Sequence, residues 1–260
     1  MTISVAQAQL FFLAFTRLMA MLIHVPVLAG RAVPNQVKLG LGLLLSIILI
    51  PWQPLPPEAP SLPAAALAIG LGREILVGTL AGYAAMLTFG AIQMAGELMS
   101  MGGGFGAGRI LNPTFDSTGS AVDQLFAMTA LLLFLIFNGH HLFLIAVQRT
   151  FQVLPVNSPL PVAWLTDPLS AAGPLLTLTM ELVTAGVLLA MPVLGASLLA
   201  DLALGLLARI APQVQVFFLG APLKVGLSLL TLMLAMAGLV PLLGDLLRAV
   251  GPRMLRLLGA

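Results

Sequence analysis

Seven ionisable residues, Arg17, Arg73, Glu74, Glu97, Glu181, Asp201 and Lys224, lie inside long apolar runs. A charged side chain at the centre of a bilayer costs about 2.5 to 3.5 kcal/mol on insertion scales, so each must be paired or face water. Two kinds of chemistry fit: an ion or proton pathway, or pairing between helices and subunits. A relay needs clustered Asp, Glu or His, and no such cluster is visible, so pairing is the preferred reading. Arg17, Glu97, Asp201, Lys224 and the turn residue Gln213 are the expected structural or inter-subunit polar positions.

Other site chemistries find no support. His140 and His141 are adjacent, so on a helix they point roughly 100° apart and do not ligate one metal as an i, i+4 pair does. The preceding Asn138-Gly139 breaks a helix, and polar side chains there are expected to cap freed backbone groups. The chain has no cysteine, which excludes disulfides, thiolate metal sites and cysteine nucleophiles. No G-x-S-x-G, Walker A or H-E-x-x-H occurs, and the glycines between 102 and 108 follow an apolar helix rather than a strand. The expectation is therefore no catalytic residue, no cofactor and no metal.

The elements that position these residues are apolar. Hydrophobic residues make up 60% of the chain, charged ones 8%, and the mean hydropathy is +1.09, far from the roughly 25% charged residues of soluble domains. Lipid or a large protein assembly must cover what a 260-residue core cannot. The net charge of +2 arises from few groups, and no basic cluster interleaves with aromatics, so no nucleic-acid partner is expected.

The expected fold class is all-α, with multi-pass hydrophobic helical hairpins. The first apolar run covers about Gln9 to Gly30; Arg17, Pro26 and the lack of basic residues before it argue for a retained helix rather than a cleaved signal. A short second run, Val37 to Ile50, follows a turn in which Arg31 and Lys38 flank Pro34 and read as a cytoplasmic loop. Pro51 to Pro63 holds six prolines and cannot be helical. Ala64 to about Met101 is one helical region of ~55 Å, with a bend expected near Gly70 and Gly72. A fourth run, about Ala121 to Val153, breaks at Asn138-Gly139. A Pro-rich linker spans Pro155 to Pro168. Two final helices, Pro174 to Ile210 and Val214 to Val250, form a hairpin around Pro212. The first loops place the N-terminus outside, but an odd number of crossings then conflicts with Arg248, Arg253 and Arg256 at the other end.

Four stretches together resemble the FliR family of flagellar export-gate proteins. They are Arg17 through Pro26 to GRAVPNQVKLGLGLLLS (Gly30 to Ser46), GELMSMGGGFGAGRILNP (Gly96 to Pro113), FNGHHLFLIAVQRTFQVLP (Phe137 to Pro155) and MPVLGASLLADLALGLLARIAPQVQVFFLGAPLK (Met191 to Lys224). The final hairpin is also similar to the small Q-type gate subunit, with Pro192, Gln213, Pro222 and Lys224 in the places of its signature. The resemblance implies a P-like portion, 1–168, fused to a Q-like hairpin, 169–260. It further implies a hetero-oligomer with FliP-type and FliQ-type subunits, alongside FlhB-type and FlhA-type components, in the bacterial inner membrane at the flagellar basal body. Unfolded flagellar proteins would leave the cytoplasm through its pore, driven by energy supplied elsewhere. Injectisome homologues share much of the pattern, but NGHH (Asn138 to His141) and GAPLK (Gly220 to Lys224) are closer to flagellar members. A stand-alone transporter would show inverted repeats with paired broken helices and a polar midplane site, which are not found.

Two site expectations follow. Asp201 and Lys224 are equidistant from a turn centred between Pro212 and Gln213, so antiparallel helices bring them level to pair, with about 3 to 5 kcal/mol at stake if the pair is buried. The segment about 99–120 is the candidate plug. Gly102, Gly103, Gly104, Gly106 and Gly108 would give backbone freedom, Met99, Met101 and Phe105 soft apolar volume, and Arg109 an anchor. On the residues alone, an exposed turn between two helices explains the segment equally well. The resemblance favours the plug.

Overall fold

The first helix is set by its cap. Ser4 Oγ accepts from the Gln7 backbone N–H at 3.2 Å, and the Gln7 side chain accepts from the Ser4 N–H at 3.0 Å. This reciprocal capping box starts α1 (Val5–His24) four residues before the expected Gln9. The helix ends at His24 because the residue before a proline is driven to extended backbone, and Val25 has φ −78° and ψ 114° ahead of Pro26. The expected continuation to Gly30 is thus cut at Val25, with 26–32 outside the described residues.

The computed structural model describes residues 4–25, 33–49, 61–105, 121–161, 164, 168–213 and 215–259. Among them it contains helices only: α2 (Asn35–Leu49), α3 (Ala64–Gly102), α4 (Ala121–Ile136), α5 (Gly139–Val153), α6 (Pro168–Ile210), α7 (Val216–Arg248) and α8 (Val250–Leu257) follow α1. The all-α, hairpin-based class is as expected. Lys38 sits in the first turn of α2 rather than in a loop, and Arg31 and most of the Pro51 to Pro63 connection lie outside the described residues. Helical structure in α3 runs unbroken through Gly70 and Gly72. The α4–α5 run breaks at Asn138, which adopts φ 54°; its side chain makes no cap, so the expected polar capping is absent there. Among the described residues, four helical stretches, Val5–His24, Ala64–Gly102, Ala172–Ile210 and Phe218–Leu257, are long and apolar enough to cross a membrane, or five if the bent pair Val122–Ile136 and Gly139–Val153 forms one span.

The described residues fall into two compact units. The first lies within Met1–Thr88, Asn138–Thr179 and Arg248–Ala260, the second within Phe89–Phe137 and Met180–Leu247.

In the first unit the main chains of α1 and α3 come close because Gly78 has no side chain: a Cβ there would lie 2.5 Å from the Arg17 carbonyl and 2.7 Å from Ala20 Cβ. Gln9 binds the Leu62 backbone twice, donating from Nε2 to its carbonyl at 2.9 Å and accepting its N–H at 2.7 Å, which fixes the approach to α3. At the centre is Arg17, 1% exposed. Its Nε donates to Glu74 Oε2 at 2.5 Å, and Nη1 donates to the carbonyls of Thr150 and Leu154 at 3.2 and 2.6 Å. The guanidinium also lies 4.5 Å from the Phe151 ring centre. Glu74 Oε1 accepts the Asn157 N–H at 3.2 Å. One cation therefore neutralises a buried carboxylate and caps the carbonyl end of α5, where the helix dipole favours positive charge.

In the second unit the later half of α3 packs through Phe89, which meets Phe134 edge-on at 5.4 Å, and through Gly96, closed over by Phe126. Met94 fills space against Gly186, as expected of a gap-filling thioether.

Removing one member of the buried pair strands the other charge. Glu74→Ala is expected to cost about 3 to 5 kcal/mol, read as a lower thermal unfolding midpoint in detergent, with Arg17→Met/Glu74→Met recovering much of the loss. A cost below about 1 kcal/mol for Glu74→Ala contradicts this account.

Candidate functional site

The site is built where α3 stops, within the second unit. Gly104 takes φ +81°, and the Phe105 N–H donates back to the Ser100 carbonyl at 3.2 Å. This is a left-handed helix stop with the six-to-one bond of a Schellman motif, a place where glycine avoids the steric cost of a Cβ. Gly103 is constrained differently: a Cβ there would lie 2.7 Å from the Met99 carbonyl and 2.8 Å from Ser228 Oγ. A Cβ at Gly102 would meet the end of Leu194 at 2.6 Å. Gly104 thus takes the positive-φ backbone that glycine allows, while Gly102 and Gly103 are placed by close packing.

The surface beneath them is a polar stripe between α6 and α7. Lys224 Nζ donates to Asp201 Oδ2 at 2.9 Å, and Ser197 Oγ and Ser228 Oγ lie 3.4 Å apart. Ser197 and Asp201 are one helical turn apart on α6, as are Lys224 and Ser228 on α7. Both cross-pairs share one register about Pro212, and that register argument applied to the serines would have found them from sequence. A Cβ on Gly104 would lie 3.5 Å from Lys224 Cβ, so the glycine turn rests on this stripe.

The expected residues separate clearly. Asp201 and Lys224 come together, but their side chains are 54% and 19% exposed, so the pair is screened and not the buried one assumed for 3 to 5 kcal/mol. Met99 is fully buried with Gly103 on the inner face of α3, so it fills packing space rather than presenting itself outward. Met101, 71% exposed, shares the outer face with Glu97, four residues earlier. Glu97 is exposed and makes no ion pair or hydrogen bond with another described residue. Phe105 is half-buried, Gln213 is exposed beside Pro212, and Arg17 is in the core of the first unit. Gly106, Gly108 and Arg109 lie outside the described residues. His140 and His141 are exposed, and no group of three metal-ligating side chains occurs among the described residues.

The model of bacterial export proteins, family 1, matches residues 8–250. The chain belongs to that family. Among similar family members is a flagellar biosynthetic protein FliR of Escherichia coli (strain K12). It is 34% identical over 238 residues, covering 90% of this chain and 85% of the relative. A FliR of Pectobacterium carotovorum subsp. carotovorum is 32% identical over 222 residues, 85% and 82% of the two chains. Yop proteins translocation protein T of Yersinia pestis is 28% identical over 229 residues, 86% and 84%.

Two substitutions separate the contributions at this site. Gly104→Ala forces a left-handed alanine and is expected to cost about 1 to 2 kcal/mol. Asp201→Asn should cost no more than about 1 kcal/mol, as for an exposed pair. Thermal unfolding of the purified chain checks both; equal costs would refute the distinction.

Proposed function

We propose that this chain is a subunit of the flagellar protein-export gate. The observation that carries the reading is the match to flagellar relatives over 85–90% of the chain, together with four apolar stretches of membrane-crossing length. The translocation protein T of Yersinia pestis supports an injectisome role as the second reading, at lower identity over similar coverage. The chain works as part of a hetero-oligomer with FliP-type and FliQ-type subunits, near FlhB-type and FlhA-type components, in the bacterial inner membrane at the basal body. Its substrates are unfolded flagellar proteins. It is a conduit and catalyses no reaction of its own.

The P-like part, 1–168, and the Q-like hairpin, 169–260, meet where the glycine turn rests on the Ser197, Asp201, Lys224 and Ser228 stripe. A channel for unfolded chains must hold back ions when idle, which calls for a deformable apolar constriction. Met101 and Phe105 are the described residues of the candidate plug that can supply it; Met99 supports them from the core. Asp201, Lys224, Gln213 and Glu97 are polar positions for neighbouring subunits, and the exposed carboxylate of Glu97 fits a cationic contact.

Expression in a motile host lacking its own family member is expected to restore swimming, and the chain should co-purify with P-type and Q-type subunits. Failure of both, with rescue of an injectisome mutant, selects the second reading. Within the reconstituted gate, Met101→Ala/Phe105→Ala should raise ion leak across proteoliposomes several-fold while assembly is unchanged. A tight gate with this pair removed rejects the plug assignment.

A further inference from the structure

A groove of about 510 Å³ lies in the first unit, bordered by α5, α8 and the last residue of α7. Leu142, Ile145 and Arg149 line it from α5, Pro252 and Leu255 from α8, and Arg248 from the end of α7. On α5 the lining positions 142, 145, 146 and 149 recur at helical spacing, so one face carries three apolar residues and then a cation. Positions 248, 251, 252 and 255 repeat the pattern with the cation first. Arg149 is exposed and makes no hydrogen bond or ion pair with another described residue. A guanidinium carries five N–H donors in a fork that suits phosphate oxygens, so Arg248 can serve one alongside its other contacts.

The place of the groove along the chain says what kind of anion belongs there. The apolar stretch Phe218–Leu257 is long enough to cross a membrane, and Arg248, Arg253 and Arg256 are gathered at its end. The arginine-bearing end is the one suited to headgroups, where Arg side chains reach outward from apolar stems. Within α8, Val250, Met254 and Leu257 are buried against the first unit while Arg256 is exposed, so the basic side chains are left on the outer side. Basic pockets between membrane helices bind anionic headgroups.

We propose that this groove binds an anionic phospholipid. Arg149 and Arg248 take its phosphate oxygens, and Leu142, Ile145 and Leu255 cover the start of an acyl chain. The site is separate from the glycine turn and stands whether or not the export reading holds.

Native mass spectrometry tests it on the purified full chain, offered equimolar phosphatidylglycerol and phosphatidylcholine. Each basic side chain near an anionic surface is worth roughly fivefold, so phosphatidylglycerol should be retained roughly tenfold or more over phosphatidylcholine. Arg149→Gln/Arg248→Gln should abolish that preference, whereas Arg209→Gln, an exposed arginine outside the groove, should preserve it. Equal retention of the two lipids by the unsubstituted chain overturns the proposal regardless of how the variants fold. So does an unchanged preference in the folded double variant. Displacement of phosphatidylglycerol by millimolar inorganic phosphate would mark a bare phosphate site and also overturn the lipid assignment.

Discussion

A guanidinium buried in a chain this apolar imposes more order than any of its hydrophobic neighbours. Arg17 brings five donors and a full charge out of water, and each donor left unmet would add a desolvation cost. The first unit meets that demand from three directions: a carboxylate on α3, the last carbonyls of α5 and the Phe151 ring. Apolar contacts tolerate sliding, since one leucine face resembles the next. A fork that must reach Glu74 Oε2 and two named carbonyls does not. Burying an ion pair gives little net stability against a well-packed apolar replacement. Its contribution here is register between helices whose sequences would otherwise pack in several ways.

The same logic, with weaker elements, governs the second unit. Its hairpin helices are long and leucine-rich, and the Ser197–Ser228 and Asp201–Lys224 pairs mark one alignment among many. The end of α3 then docks only because Gly103 lets its backbone reach Ser228 Oγ. Glycine therefore acts here through what it omits. Any side chain at 103 would hold the helix end off the stripe, and any L-residue at 104 would resist the turn that ends the helix.

Much of this arrangement was legible in the sequence because punctuation in an apolar chain is sparse and strong. Proline and glycine set most helix limits to within a few residues, and Asn138-Gly139 marked the break between α4 and α5. The start of α1 was missed because Ser4 and Gln7 cap through side-chain geometry that hydropathy does not register. The level of Asp201 with Lys224 followed from counting about the turn, but their exposure did not, because counting fixes height and not facing. Arg17 and Glu74 were each seen as costly charges. Their union was not, since 57 positions separate them and nothing local encodes a partner that distant. Met99 and Met101 looked alike in the glycine-rich segment. Two residues on a helix turn the side chain through roughly 200°, and the phase of α3 decides which one faces in.

The outer surface explains why the charges divide as they do. Large hydrophobic side chains such as Met180, Leu199, Phe218 and Leu234 stand exposed along α6 and α7, so much of the energy of burial is released only when lipid or other subunits cover them. A chain in that position cannot use hydrophobicity to say which face meets which neighbour, because nearly every face is apolar. Polar groups must carry the discrimination, and those already consumed inside the fold cannot. Arg17 and Glu74 are spent on the first unit. Glu97, Arg149 and Arg209, each exposed with no hydrogen-bond or ion-pair partner among the described residues, are among the groups whose desolvation is still to be offset. A wrong neighbour would bury them unpaired at a cost of several kcal/mol, while a right one supplies the opposite charge. The few charges that the fold itself leaves unsatisfied are thus the groups able to discriminate between faces that are otherwise alike.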